Sequence, residues 1–114
     1  MNDINLMNKA ADNIRILAAS MVEKAKSGHP GGAMGGADFV NVLFSEFLVY
    51  DPKNPTWEGR DRYFQDPGHM SPMLYSVLAL TGKFTIDELK EFRQWGSVTP
   101  GHPEVNVMRG IENT

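Results

Sequence analysis

The feature that most constrains this chain is a glycine-rich stretch, "KSGHPGGAMGGAD" at residues 26–38, which directly follows a long helical pattern. Its glycines surround a single histidine, His29, and are Gly28, Gly31, Gly32, Gly35 and Gly36. An ordered glycine loses more conformational entropy on folding than any other residue. The stretch therefore predicts a sharp bend of the backbone or another group that lies very close to it.

The composition indicates an ordinary globular domain and excludes several functional classes. Of the 114 residues, 41% are hydrophobic and 22% are charged, which is typical of a single domain. The formal charge of −3, without a lysine or arginine run, does not fit a nucleic-acid-binding surface. The absence of cysteine excludes disulfides, a thiolate nucleophile and a cysteine zinc site. With no signal-peptide pattern and no apolar run of membrane length, we expect a cytoplasmic protein without a membrane partner.

Apolar spacing predicts one helix on each side of the glycine-rich stretch. The stripe of the first helix is Leu6, Ala10, Ile14, Leu17, Met21 and Ala25. Asp3 or Asn5 can cap its start. The residues that suit its end are Lys24, Lys26 and Gly28. The stripe of the second helix is Val40, Leu43, Phe44, Phe47 and Leu48, and this helix must end before Pro52.

The middle of the chain predicts one strand and a third helix. The segment "DRYFQD", residues 61–66, is short and aromatic, which is typical of a strand. Ser71 can cap the third helix, because Pro72 then takes the first helical position. Its predicted buried face is Met73, Leu74, Val77 and Leu78. Thr81 and Gly82 end it.

A fourth helix follows, and the rest of the chain predicts loop. Thr85 and Glu88 have the spacing of a capping box, and Phe84 can pack onto Leu89. This helix is expected to reach Arg93 or Gln94. No repeat or helical periodicity follows it.

These elements predict an α/β fold, mostly α-helical in this stretch, with one short strand. A strand must pair with another strand, and the chain has no second candidate. We therefore expect the sequence to stop part-way through a larger fold whose remaining strands lie elsewhere. The unpaired strand and bare helix faces would then favour self-association.

Each of the three histidines follows a glycine: Gly28-His29, Gly68-His69 and Gly101-His102. All three lie in predicted loops, where functional side chains are often displayed. A purely structural interpretation is that glycine and proline only shape these turns. A zinc site of three histidines is a further alternative, although spacings of 40 and 33 residues match no compact ligand motif.

Four segments together resemble the N-terminal part of transketolases. They are "KSGHPGGAMGGAD", "NPTWEGRDRY", "GHMSPMLYSVLALTG" and "TPGHPE", in the family's order and approximate spacing. The resemblance identifies residues 1–114 as the N-terminal portion of the domain that binds thiamine diphosphate. It implies transfer of a two-carbon ketol unit between ketose and aldose phosphates, in the pentose phosphate pathway, with thiamine diphosphate, a divalent metal (Mg or Ca) and a homodimer.

The resemblance also implies roles for the histidines. His29 and His102 would be catalytic residues that face the sugar's carbonyl and C1 hydroxyl, and His69 would bind the cofactor near its diphosphate. Imidazole suits such work because its ordinary pKa of ~6.5 lets it donate, accept or carry charge near neutrality. The neighbouring glycines would leave the His29 ring open to a bulky cofactor.

Several departures from the family pattern limit what this chain can do by itself. Gly32 and Gly36 replace larger residues that are common in the family, whereas Met70 is larger than the usual glycine or alanine. The "GDG" motif that places metal and diphosphate is absent. We therefore expect the chain alone to bind no cofactor and to be inactive. Alternatives are a related thiamine-diphosphate synthase of a deoxyketose phosphate, or a non-catalytic helical interaction module.

The expected self-association is testable in solution. Bare apolar faces should give a sedimentation coefficient that increases with protein concentration. Sedimentation velocity over a range of concentrations measures this. A monodisperse monomer that also unfolds in one sharp transition would contradict it.

Overall fold

The computed structural model describes residues 2–112, and in that range the fold is almost entirely helical. The α-helices are α1 (Ile4–Ala25), α2 (Pro30–Gly35), α3 (Ala37–Val42), α4 (Ser71–Leu80) and α5 (Ile86–Leu89). A π-helical turn, Leu43–Phe47, continues α3, and short 3₁₀ turns lie at Gly68–Met70 and Val107–Arg109. No helix in the described range is both long and apolar enough to cross a membrane.

The first helix forms as predicted, but its buried face is rotated relative to the predicted apolar stripe. The Asp3 carboxylate accepts a hydrogen bond from the Leu6 N–H at 3.0 Å and caps it. Lys26 ends the helix in the left-handed conformation, with φ 53°. The buried residues are Ala11, Ile14, Ala18 and Met21. Leu6, predicted to belong to the stripe, is 61% exposed.

The second predicted helix is divided, and it starts earlier than its apolar stripe indicated. Helix α2 begins at Pro30, inside the glycine-rich stretch, and Gly36 separates it from α3. Val40 and Phe44 are buried as expected. Phe47 is 70% exposed, because the π-helical turn rotates it off the buried face.

The predicted strand at residues 61–66 is wrong. In residues 2–112 the only β pairing is an isolated bridge between Asn106 and Ile111. The segment is instead held by contacts with other parts of the chain. Asp61 donates its N–H to the Val49 carbonyl at 2.7 Å, and its carboxylate accepts from the Val49 N–H at 2.8 Å. Arg62 pairs with Glu112 at 3.1 Å. An unpaired strand edge therefore cannot drive the expected self-association. The expectation now rests on exposed aromatic side chains such as Phe39, Phe47 and Trp95.

Helix α4 is the centre of the core and is buried over most of its length. The predicted face is confirmed, since Met73, Leu74, Val77 and Leu78 are all buried. Thr81 and Gly82 end the helix as expected. Ser71 is not the cap but the first helical residue, and its hydroxyl is directed to a distant carbonyl instead.

Helix α5 begins with the predicted capping box and ends earlier than expected. Thr85 and Glu88 make both hydrogen bonds of the box. The helix ends at Leu89 instead of Arg93 or Gln94 because Thr99 folds back onto it. The Thr99 hydroxyl donates to the Glu88 carbonyl at 3.2 Å, and the Arg93 N–H donates to the Thr99 carbonyl at 3.0 Å.

Arg109 connects the last part of the described chain to the start of α5. Its guanidinium lies 2.6 Å from the Glu88 carboxylate, donates to the Lys83 carbonyl at 3.1 Å and sits 5.0 Å from the Phe84 ring centre. The hydrogen bond from Arg109, helped by the Thr85 N–H, lowers the pKa of Glu88 to about 2. The folded state therefore favours the ionised carboxylate.

This pair should make stability depend on pH between about 4.5 and about 2. Because the folded pKa of Glu88 is depressed, its contribution is complete above the unfolded pKa and is lost as the pH falls toward the folded value. We expect Glu88→Gln to destabilise the chain by about 1–2 kcal/mol at pH 7 and by progressively less below pH ~4.5. Urea unfolding of both proteins across this range measures the difference.

The exposed pair of Lys90 and Asp87, 3.6 Å apart, provides the control. Lys90→Ala should cost less than about 0.5 kcal/mol, since solvent screens exposed pairs. A difference between wild type and Glu88→Gln that does not change with pH would show that the carboxylate's charge is not what stabilises the fold.

Candidate active site: three glycine-histidine turns

The first two histidines are in direct contact. His29 is the residue before α2 and is exposed, whereas His69 lies in the 3₁₀ turn before α4 and is half-buried. Their ring centres are 4.7 Å apart, with 58° between the ring planes. Two turns 40 residues apart in the chain therefore meet through their imidazoles.

His102 joins this pair through the backbone beside His69. A Cβ atom on Gly68 would lie only 2.9 Å from the His102 Nδ1 atom, so the imidazole rests directly against this glycine. Only glycine lets the ring come so close. The three sequence-predicted histidines are thus gathered in one place, and the His102 ring is exposed to solvent.

Two hydroxyl groups of α4 hold the turn that carries His102. Ser71 donates to the Gly101 carbonyl and Tyr75 donates to the Pro100 carbonyl, each at 2.6 Å. Both side chains are fully buried, and burial raises the pKa of the Tyr75 phenol, which therefore stays a neutral donor. Sequence reasoning missed this role for both residues. A hydroxyl within an apolar helix was the available signal, since a buried hydroxyl needs a partner.

The glycines after His29 divide into two groups. A Cβ atom on Gly32 would lie 2.8 Å from Met70 Cγ, and one on Gly36 would lie 2.7 Å from Met73 Sδ. Cβ atoms on Gly31 and Gly35 would meet nothing within 4 Å. Gly32 and Gly36 therefore make room for methionines from the α4 side. The large Met70 side chain is accommodated by the small Gly32.

The ring nitrogens of the cluster are free to interact with a ligand. Within residues 2–112 no protein group hydrogen-bonds to them, and no set of three or more His, Cys, Asp or Glu residues there could hold a metal ion. An open cavity of about 810 Å³ adjoins His102 and is bordered by Ser27, Arg93 and Glu104. His102 can donate hydrogen bonds to, and exchange protons with, a polar molecule in this cavity.

Residues 6–114 match the family model described as transketolase, thiamine diphosphate binding domain. The chain belongs to the transketolase family. A transketolase of Buchnera aphidicola is 53% identical over 110 residues, which cover 96% of this chain and 16% of that protein. The chain therefore spans about a sixth of the length of the curated relatives that it matches.

Solved transketolases confirm the fold class. The Campylobacter jejuni enzyme matches with a TM-score of 0.90 and 47% identity, over 97% of this chain and 17% of that one. A Pichia stipitis transketolase in complex with sedoheptulose-7-phosphate matches with a TM-score of 0.88 and 43% identity, over 93% of this chain and 16% of that one. The described residues form the mostly helical N-terminal part of a thiamine-diphosphate-binding α/β fold.

The fit between Gly32 and Met70 predicts that Gly32→Ala destabilises the chain when Met70 is present and stabilises it when residue 70 is alanine. Gly32→Ala should cost about 1–3 kcal/mol when Met70 is present, because the new methyl group overpacks the contact. In a Met70→Ala background the same change should stabilise by about 0.5–1 kcal/mol, because alanine favours the helix. Urea unfolding of the four proteins of this cycle measures both values.

Gly31→Ala is the matched control, since a Cβ atom at Gly31 meets open space. It should stabilise α2 equally in both backgrounds. If the effect of Gly32→Ala has the same sign with and without Met70, the two residues do not make room for each other.

Proposed function

We propose that this chain forms the N-terminal part of a thiamine-diphosphate-dependent transketolase that moves a two-carbon ketol unit between ketose and aldose phosphates. The observation that carries the proposal is the meeting of three histidines from distant turns, with His29 and His69 4.7 Å apart and His102 against Gly68. Turns that served only to bend the backbone would not need to bring their imidazoles together, whereas side chains that act on one ligand must lie close to one another. The family match supports the reaction class.

His29 and His102 are the proposed catalytic residues. Both side chains are exposed, which leaves their ring nitrogens accessible to a substrate. A neutral imidazole can donate a hydrogen bond to a sugar carbonyl, and it can exchange a proton with the C1 hydroxyl. The Pichia stipitis relative is described with sedoheptulose-7-phosphate, a ketose phosphate, which supports the proposed substrate class.

His69 is the proposed cofactor-binding residue. Its ring is half-buried, contacts the His29 ring and has no protein hydrogen-bond partner in residues 2–112, so it can donate a hydrogen bond to an anionic oxygen of a diphosphate. The chemistry supplied by bound thiamine diphosphate is stabilisation of the carbanion formed on C–C cleavage. We also propose a divalent metal, Mg or Ca, in the full-length enzyme. The described residues contain no set of three or more His, Cys, Asp or Glu side chains that could hold it, so we assign none of them as its ligands.

We also propose that the whole protein is a homodimer and that it is located in the cytoplasm. Exposed apolar side chains, including Ile4, Phe39 and Phe47, support burial of this surface in a homodimer. The absence of cysteine is compatible with a reducing cytoplasm. The deoxyketose-phosphate synthase is a weaker alternative, because the matched family model is that of transketolase.

A chimera tests the proposed function. We would replace the matching N-terminal segment of the Campylobacter jejuni transketolase with this chain and measure ketol transfer between sugar phosphates. The chimera should be active, and His29→Gln and His102→Gln should each lower kcat by about 10²-fold or more, because each removes a proton-transfer group. His69→Gln should mainly raise the concentration of thiamine diphosphate needed for half-maximal activity.

Lys90→Ala, a substitution of an exposed lysine on the α5 side, controls for general effects and should leave kcat unchanged. Folded histidine variants with wild-type kcat would refute the assigned roles. The isolated chain, titrated with thiamine diphosphate and magnesium in a calorimeter, should give no binding heat at micromolar cofactor. Heat of binding there would contradict the expectation that the chain alone cannot retain the cofactor.

A further inference from the structure

The side chain of Arg93 lies between two of the histidine turns. One terminal nitrogen donates to the Ser27 hydroxyl at 2.5 Å, two residues before His29. The Nε atom packs against Gly101, the residue before His102, where a Cβ atom would lie only 2.7 Å away. A single guanidinium thus contacts both turns at the same time.

The side chain of the preceding residue, Phe92, also contacts the turn that carries His29. Phe92 is fully buried, and its ring lies 3.2 Å from the position of a Cβ atom on Gly28. Gly28 has φ 123°, which side-chain-bearing residues rarely adopt. The turn before His29 is therefore packed on Phe92 as well as hydrogen-bonded to Arg93.

The backbone of Arg93 has an uncommon conformation and is bound to the segment that precedes His102. Its φ of 63° lies in the left-handed region, and its N–H donates to the Thr99 carbonyl at 3.0 Å. Such a conformation persists only where the surroundings determine it, and it is most frequent near functional sites. Here it anchors Arg93 to the segment that leads into His102 and directs its side chain across to Ser27.

We propose that Arg93 is a positioning residue that fixes His29 relative to His102, an inference that rests on the proposed function of these histidines. The planar guanidinium can donate to Ser27 with one edge while another lies flat against Gly101. A lysine ammonium is a point charge and cannot make both contacts. Misplacement of a catalytic group by about 1 Å can cost about 10²-fold in rate, so fixing this separation matters for catalysis.

The geometric part of the proposal is tested on the 114-residue chain itself, without cofactor. With ¹⁵N-labelled histidine, Arg93→Ala should shift the ring signals of both His29 and His102 and remove the cross-peak between the His29 and His69 rings. Ser27→Ala, which removes only one end of the contact, should shift His29 and leave His102 in place. Arg93→Lys should not restore the wild-type signals.

Arg109→Ala is the matched control, because it removes another guanidinium that joins two segments, away from the histidines. It should lower stability and leave all three ring spectra unchanged. Equal ring shifts in Arg109→Ala, unmoved rings in Arg93→Ala, or full recovery in Arg93→Lys would overturn the proposal. If Arg93→Ala does not fold, Ser27→Ala decides, and an unmoved His29 ring would overturn it.

The catalytic part is measured in the Campylobacter jejuni chimera. Arg93→Ala should lower kcat by about 10- to 100-fold with little change in the apparent affinity for thiamine diphosphate. Unchanged kcat in an active chimera would refute the positioning role. An inactive chimera would instead count against the proposed function, and the ring spectra would still report whether Arg93 holds the two turns.

Discussion

The structure depends on how helix α4 satisfies the hydroxyl groups that it buries. Ser71 and Tyr75 lie in an almost wholly apolar helix and are fully buried. An unpaired buried hydroxyl costs about 1–3 kcal/mol, so each needs an acceptor. The acceptors are the Gly101 and Pro100 carbonyls, 2.6 Å away. The requirement that completes the core therefore also places the His102 turn against the Gly68 turn.

The packing of α2 against the α4 side depends on glycines that face methionines. Met70 and Met73 reach from the α4 side into space that exists only because Gly32 and Gly36 have no side chain. The methionines thus fill the space that side chains at the two facing glycines would need, so the interface is packed without overlap. The contact between His29 and His69 lies next to this interface, because His69 directly precedes Met70 and His29 lies three residues before Gly32.

Features that depend on residues close together in the sequence could be predicted from it, whereas features that depend on residues far apart could not. The capping box of Thr85 and Glu88 is a local pattern that needs no other part of the chain, and the structure confirms its prediction. Residues 61–66 have the composition of a strand, but Asp61 bonds to Val49 and no strand in the described residues pairs with the segment. Helix α5 ended early because Thr99, a distant residue, occupied the carbonyl of Glu88.

The sequence by itself determined the long first helix, the buried face of α4, the family and the three glycine-histidine pairs, because each is a periodicity or a motif written in neighbouring residues. Only the tertiary structure decided that the histidines meet, that Ser71 reaches across the fold instead of capping its helix, and that Arg93 joins two turns. The contacts of His29 with His69, of Ser71 with Gly101 and of Arg93 with Ser27 connect residues 30 to 66 positions apart. Hydrogen bonding and packing at such separations depend on the direction in which each turn leaves its helix, which local sequence does not encode.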